Sequence, residues 1–457
     1  MKLFELSQEE IITKVRAAGI TGAGGASFPT YVKLQSKPDT YIANGAECEP
    51  LLHVSQELMA RYPELVVKGL LACMRATAAE KGVIALKGKY KESLASLRAA
   101  LARVGNEARQ ELPITIHELG DFYPAGDEHV LVYEVTGRRV PQGGIPIAVG
   151  VVVNNIETLI NVARAVEEDL PVTSKWVTVC GAVKRPVTAR FAIGTPMAKA
   201  LELAGGPAVD RYVAIDGGPM MGKLVKDLSA PVAKSTGGLV VLPAENRWAE
   251  LLSAPIEVSL KRARSHCIQC MNCTEMCPRY LLGHRLKPNR VMLEASYREL
   301  EAPHKFEMAL ACSECGLCEA YACPAGLTPR RVNATLKAEL LRKGIRPSPV
   351  ELREPDPARG FRKVPTSRLK ARLGLDVYDH VPEFVEEEVV AEELTVLLKQ
   401  HVGAAARPLV KQGDEVVTAQ LIADLPSDKL GVPVHAPVSG VVTHVDDRAI
   451  RIRRGNG

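Results

Sequence analysis

The chain has 457 residues and carries 58 Lys plus Arg against 53 Asp plus Glu, a net charge of +5, too even a balance for a protein that coats nucleic acid or another polyanion. Hydrophobic residues make up 46% and charged residues 24%, the composition of a globular protein of about three domains rather than a disordered chain. The longest apolar stretch, Ile145 to Val153, covers nine residues and contains Pro146, against the roughly 20 needed to cross a bilayer.

The start, MKLFELSQEE, meets acidic residues before any apolar segment develops. It is therefore not a secretory signal, and a cytoplasmic chain is expected. EEIITKVRAAG reads as an amphipathic helix with Ile11, Ile12, Val15 and Ala18 on one side, ending at Gly19. Such a start is ordinarily the first helix of a domain; the alternative is an encapsulation peptide. TYIANGA and KGVIALKG read as strands with the helix LVVKGLLACMRATAAEKG between them, which predicts an α/β layer over residues 1–168.

Residues 172–245 begin with the strand WVTVCGAV and continue through the helix TPMAKALELAGG to the strand RYVAIDGG, a small α+β module. Residues 255–345 are helical and rich in cysteine. Residues 346–392 contain Pro347, Pro349, Pro355, Pro357, Pro365 and Pro382 and end in the acidic run EFVEEEVVAEE, the composition of a linker that wraps or spans. Short β-type segments and turns fill residues 393–457.

Eight of the eleven cysteines lie between Cys267 and Cys323, and in a reducing compartment such a concentration points to metal rather than disulfides. Cys48, Cys73 and Cys180 are scattered singly and read as small buried hydrophobes. Cys267-x2-Cys270-x2-Cys273-x3-Cys277-Pro278 has the bacterial ferredoxin spacing, in which three close thiolates grip one cubane and the fourth reaches a second. Cys312-x2-Cys315-x2-Cys318-x4-Cys323-Pro324 repeats it with one extra residue, which a bulged turn would absorb. Two 4Fe–4S clusters are therefore predicted, one on Cys267, Cys270, Cys273 and Cys323, the other on Cys312, Cys315, Cys318 and Cys277. The competing reading, two four-cysteine zinc sites, suits paired CxxC units across a spacer better than three cysteines at period three.

Between residues 261 and 290 stand seven cations, Lys261, Arg262, Arg264, Arg279, Arg285, Lys287 and Arg290, with a single acid, Glu275. They read as solvated charges offsetting the clusters. The alternative is a docking face for an acidic partner such as a ferredoxin or flavodoxin.

Gly19-Ile-Thr-Gly22-Ala-Gly24-Gly25-Ala-Ser-Phe28-Pro29 fails as a Rossmann fingerprint, because the third glycine falls at Ser27 and a helix precedes it. Glycines this dense still let backbone N–H groups approach a phosphate, with Lys33 to add charge. GITGAGGASFPTYVKL, NGAECEP, YPAGDE and VNNIETL together resemble, in order and spacing, the flavin- and NADH-binding domain of the respiratory complex I flavoprotein subunit and of the Rnf electron-transport C subunit. Within that superfamily the cobalamin-reductase family of propanediol-utilisation microcompartments is similar in its x4 cysteine gap, in a segment like SRLKARLGLDVYD and in how the chain ends.

The resemblance implies a multidomain α/β and α+β fold. It comprises an FMN/NADH-binding α/β domain, a soluble-ligand-binding β-grasp domain, a helical ferredoxin-like domain with two 4Fe–4S clusters and a C-terminal barrel-sandwich hybrid. It implies that Gly22, Gly24 and Gly25 hold the FMN phosphate with Lys33 beside it, and that Phe28 stacks near the nicotinamide. Asn44 and Glu47 would contact FMN, Glu49 would face NADH, and Tyr123, Gly126, Asp127 and Glu128 would match a YxxGEE motif whose first acid is here Asp127. Asn154, Asn155 and Thr158 would complete the flavin pocket. GGPMMG, Gly217 to Gly222, falls in the β-grasp domain, as a spacer or a partner contact. The barrel hairpin Val438-Ser439-Gly440 has no lysine, so lipoate or biotin carriage is not expected.

The activity implied is electron transfer from NADH through FMN and the two clusters to a one-electron acceptor, with a corrinoid or corrinoid enzyme first; no side chain is assigned acid–base or nucleophilic work. The alternatives are an electron-input component of an Rnf-type membrane complex linked to ferredoxin, peripheral to the membrane, and a flavin-less relay adaptor. The first reading places the chain in the cytoplasm or in a bacterial microcompartment. No nucleic-acid partner is expected.

Overall fold

The computed structural model describes residues 2–109, 112–298, 303–347, 350–426 and 428–455. Four parallel strands form the first sheet in the spatial order Ile114–Leu119, Lys81–Lys87, Thr40–Gly45, Val151–Asn155. Thr40–Gly45 is buried at nearly every position, as a strand covered on both faces must be. The helices Pro63–Thr77 and Ile156–Glu168 pack tightly because Gly69 has no side chain; a Cβ there would lie 1.9 Å from the Leu159 carbonyl oxygen. The first three strands step outward in one direction and Val151–Asn155 lands on the other side of Thr40–Gly45. A crevice therefore opens at the carboxyl ends of these two neighbouring strands, where the strand order reverses and open α/β sheets take their ligands.

The helix Gln8–Ala17 starts in a capping box between Ser7 and Glu10, which satisfies its first free N–H groups. Ile11 and Val15 are fully buried in the core of this first unit, so the apolar stripe of the N-terminus is occupied.

A six-stranded mixed sheet follows, in the order Glu383–Val389, Val187–Ala192, Ser174–Gly181, Gly238–Pro243, Tyr212–Asp216, Lys223–Val225. Its first edge strand comes from the proline-rich stretch, which carries more pairing than its composition suggests. Val364–Pro365 pairs with Phe122–Tyr123, and Glu383–Val389 runs parallel to Val187–Ala192. One aromatic residue outweighs the acidic run here: Phe384 stacks on Trp176 with centroids 4.9 Å apart, and the Arg61 guanidinium lies 4.2 Å over its ring.

The helices Ile256–His266, Pro288–Arg298 and Pro329–Arg342 enclose a small core of Ala263, Val291, Met292, Val332 and Leu336. Two short sheets, of four and three strands, make the last unit around Leu394, Val396, Ile422, Val442 and Ile450. Among the described residues no helix is long and apolar enough to cross a membrane.

Candidate functional site

The crevice is a cleft of about 580 Å³, a size that holds a cofactor. Gly22, Gly24, Phe28 and Lys33 line it from the glycine loop, Asn44, Glu47, Cys48 and Glu49 from the end of the first strand, and Val153, Asn154 and Asn155 from the fourth. The loop is held from behind: the Gly22 N–H donates to the Phe28 carbonyl at 2.9 Å and the Ala23 N–H to the Thr158 hydroxyl at 2.9 Å. Among the described residues the N–H groups of Gly24, Gly25 and Ala26 have no protein acceptor, and the hydroxyls of Thr21, Ser27 and Thr30 are buried without partners. Successive free N–H groups with a lysine nearby are the donor set of an anion nest. The Lys33 ammonium donates to the Val153 carbonyl at 2.8 Å and lies 3.4 Å from Glu128. The residues therefore fit the phosphate of a phosphate-bearing flavin.

Asn44 is fixed by donating to the Gly126 carbonyl at 3.0 Å, and Asn154 by donating to the Tyr41 hydroxyl at 2.7 Å. Asn155 caps the helix Ile156–Glu168 through the Glu157 N–H. Burial raises Glu47, against the Ser55 N–H bond at 2.8 Å. Burial likewise raises Glu49 to about 7, against bonds from the Met220 and Met221 N–H groups. Asp127 caps the helix Glu128–Thr136; burial pushes its carboxyl up, but Arg279, His129 and the Val130 N–H together outweigh burial and hold it below the usual range.

The cysteines divide into two sets. Cys267, Cys270, Cys273 and Cys323 line one apolar cavity. Cys277 lies in the electrostatic surroundings of Cys312, Cys315 and Cys318. Cys277 also enters the surroundings of Cys273, so it stands between the two sets, and the arrangement is compatible with the crossed pairing expected of two cubanes. The extra residue of the second run is taken up by a π-helical turn, Cys318–Ala322, where the first run has an α turn, Asn272–Glu275; a π turn spans one residue more.

Cys312 and Cys315 line the same cleft as the glycine loop, and the Tyr123 hydroxyl donates to the Cys315 carbonyl at 2.6 Å. Cys270 is exposed on the other set, beside Ile268 at 73% exposure and Met271.

Of the residues singled out in the sequence, Gly22, Gly24, Phe28, Lys33, Asn44, Glu47, Glu49, Tyr123, Gly126, Asp127, Glu128, Asn154 and Asn155 meet in this cleft. Thr158 is wholly buried and holds the Ala23 N–H rather than lining the cleft, and Gly25 lies at φ +102° just outside it with open space around its Cα. Sequence reasoning missed Cys48, whose sulfur accepts the Gly126 N–H in the cleft wall. It also missed the buried pair His129 and His284, 3.4 Å apart, and Met221. Arg279, counted with the solvated cations, is instead 11% exposed and bound to Asp127. Lys261, Arg262, Arg285 and Arg290 do face solvent. Only the proline after Cys277 hinted that the chain turns inward at Arg279.

Four families match along the chain: the Nuo51 FMN-binding domain over residues 15–164, the SLBB domain over 176–224, a 4Fe-4S dicluster domain over 266–328 and the RnfC barrel sandwich hybrid domain over 382–456. The cobalamin reductase PduS of Citrobacter freundii is 43% identical over 447 residues, covering 98% of this chain and 97% of that one. The RnfC-type component of the Na+-translocating ferredoxin:NAD+ oxidoreductase complex of Acetobacterium woodii is 36% identical over 61% of this chain and 60% of its own. An NAD+-reducing NiFe-hydrogenase in the air-oxidized state shares the fold, with a TM-score of 0.50 at 25% identity over 83% of this chain and 69% of that chain.

Proposed function

Since the chain belongs to the cobalamin reductase family, we propose that it takes reducing equivalents from NADH at the cleft and delivers them singly to a corrinoid. FMN, when bound, supplies the change from a two-electron donor to one-electron carriers, and the 4Fe–4S clusters carry electrons one at a time. The observation that carries this reading is the presence of Cys312 and Cys315 in the wall of the cleft that also holds the glycine loop, Glu47 and Asn154.

In this reading Gly22, Gly24 and Gly25 receive the flavin phosphate with Lys33 beside it, and Thr158 keeps the loop in shape. Asn44, Glu47, Asn154 and Asn155 border the ring, while Phe28 and Glu49 face the nicotinamide. Tyr123 ties the floor of the cleft to the thiol loop. Cys277, Cys312, Cys315 and Cys318 hold the cluster nearer the flavin, and Cys267, Cys270, Cys273 and Cys323 the one nearer the surface. A corrinoid acceptor meets the protein where Cys270, Ile268 and Met271 are exposed.

The test is anaerobic: the purified protein is quantified for iron and flavin and its spectrum followed on adding NADH and then a cob(III)alamin. Bleaching of flavin and iron–sulfur bands, with about eight irons per chain, followed by reoxidation with reduction of the corrinoid, is expected. Iron without flavin and no response to NADH would make the chain a relay adaptor. Bleaching followed by reoxidation only with ferredoxin would move it to the Rnf-type role.

A further inference from the structure

Glu49 belongs to the first domain, but its carboxylate is held by the second. One oxygen accepts the Met220 N–H at 2.8 Å and the other the Met221 N–H at 3.0 Å. Both are charge-assisted bonds from a backbone that does not rotate away. Gly218 lies flat against the same side chain: a Cβ at that position would come within 2.1 Å of Glu49 Oε2 and 2.3 Å of its Cβ and Cγ. No side chain fits there while Glu49 stays where it is.

The loop that does this is itself pinned. The Trp248 indole N–H donates to the Pro219 carbonyl at 2.8 Å, and Met220 is fully buried. On its far side the loop touches the second thiol run, where a Cβ on Gly316, between Cys315 and Cys318, would meet Met220 Cε at 3.2 Å and its carbonyl oxygen at 3.3 Å. Met221 points the other way, half exposed, into the cleft. One six-residue segment thus touches the acid, the cleft and the thiol loop.

We propose that the Gly217–Gly222 loop is the positioning element of the nucleotide cleft, setting Glu49 for NADH and closing the cleft with Met221, so that the second domain is part of the site. This rests on the reading of Glu49 as the NADH-facing acid. A carboxylate on an unsupported loop samples many rotamers and solvates freely; two fixed N–H donors and a glycine floor leave it one position, which is what productive orientation of a bound dinucleotide requires.

The test compares the holoprotein with Gly218→Ala, Glu49→Gln and the double variant, reading the NAD+ dissociation constant by titration calorimetry and the NADH KM with ferricyanide as acceptor. Each single variant is expected to weaken NAD+ binding and raise KM about tenfold, while flavin and iron content stay as in the parent. The double variant is expected to be no worse than the weaker-binding single variant, because both changes remove the same contact. Trp248→Phe, which keeps an aromatic side chain but removes the indole N–H and part of the bicycle, gives the same shift at smaller size and serves should Gly218→Ala fail to fold. Additive losses in the double variant, or a Gly218→Ala protein that binds NAD+ as the parent does while Glu49→Gln does not, would overturn the positioning role and leave the NADH reading intact. Glu49→Gln binding NAD+ normally would overturn both.

Discussion

Asp127 and Arg279 are 152 positions apart in the chain and 2.8 Å apart in space, with 9% and 11% of their side chains exposed. The pair joins the flavin-side helix Glu128–Thr136, which Asp127 caps, to the segment that follows Cys277. It also accounts for an aspartate where the related motif has glutamate: the shorter side chain caps its own helix and still reaches the guanidinium.

Removing one partner of such a pair leaves a buried charge without compensation. Arg279→Gln is expected to destabilise the protein by about 3 kcal/mol, read as a lower midpoint in denaturant, and Asp127→Asn with Arg279→Gln to recover part of the loss because no lone charge remains. The sign with pH follows from Asp127, whose folded value lies below its unfolded one. The stability it contributes is present above about pH 4 and fades as pH falls through the lower folded value. In Arg279→Gln that acid-side loss should vanish; an unchanged acid limb would mean the pair contributes nothing.

The crossed thiol sets make an asymmetric prediction. Cys277→Ser and Cys323→Ser should each lower iron from about eight to about four per chain, but with different consequences. Cys323→Ser removes the cluster near the surface, so NADH still bleaches the remaining iron–sulfur band and corrinoid reduction fails. Cys277→Ser removes the cluster beside the cleft, so the remaining one is bleached by dithionite and not by NADH. The reverse pattern in anaerobic spectra would mean that electrons enter at the exposed end.

The two cysteine runs were legible because ligand spacing is a local property of sequence, and the strands and helices of the first unit because their apolar periods and glycine ends are local too. What was not legible depended on contacts between distant segments. The charge count treated Arg279 as one solvated cation among seven, and only folding brings Asp127 to it. The acidic run near residue 385 hid a strand because the deciding contact, Phe384 on Trp176, joins residues about 200 positions apart. Cys48 looked like an isolated thiol until the strand ending at Gly45 delivered it to the cleft. GGPMMG carried no chemistry of its own, since its action on Glu49 is through backbone N–H groups that no side-chain pattern reports.

If Phe384 is what recruits the acidic segment into the sheet, Phe384→Ala should free that edge while leaving the rest of the domain folded. The lost ring stack and Arg61 contact are worth about 2 kcal/mol on a partly buried aromatic. Limited proteolysis should then cut between residues 374 and 392 at rates well above the parent's. Equal rates would show that the backbone pairing of Glu383–Val389 holds without the ring.

Lys234 supplies a pH test of the junction behind the glycine loop. The residue is 4% exposed and its side-chain nitrogen donates to the Gly19 carbonyl at 2.6 Å, with His401, His435, Lys399 and Asp424 among the titratable groups of the junction. On the opposite side of the loop the Val402 N–H donates to the Ser27 carbonyl at 3.2 Å, so the second domain holds the loop at Gly19 and the last domain holds it at Ser27. Burial lowers Lys234 from 10.5 to about 7. Between those values the unfolded chain binds a proton that the folded chain does not, so stability rises with pH over that window, by up to about 1.4 kcal/mol per pH unit. Burial, with the Lys234 charge adding to it, lowers His435 from 6.5 to about 4, which gives a second rise with pH from about 4 to 6.5. Lys234→Met should abolish the upper rise and let His435 titrate closer to its ordinary value, moving the lower one toward neutrality. Subtracting the variant's profile of thermal midpoint against pH from the parent's isolates the lysine between pH 7 and 10, above the range in which His435 titrates. Superimposable profiles between pH 7 and 10 would mean that Lys234 keeps its charge in the folded protein and that the junction is hydrated.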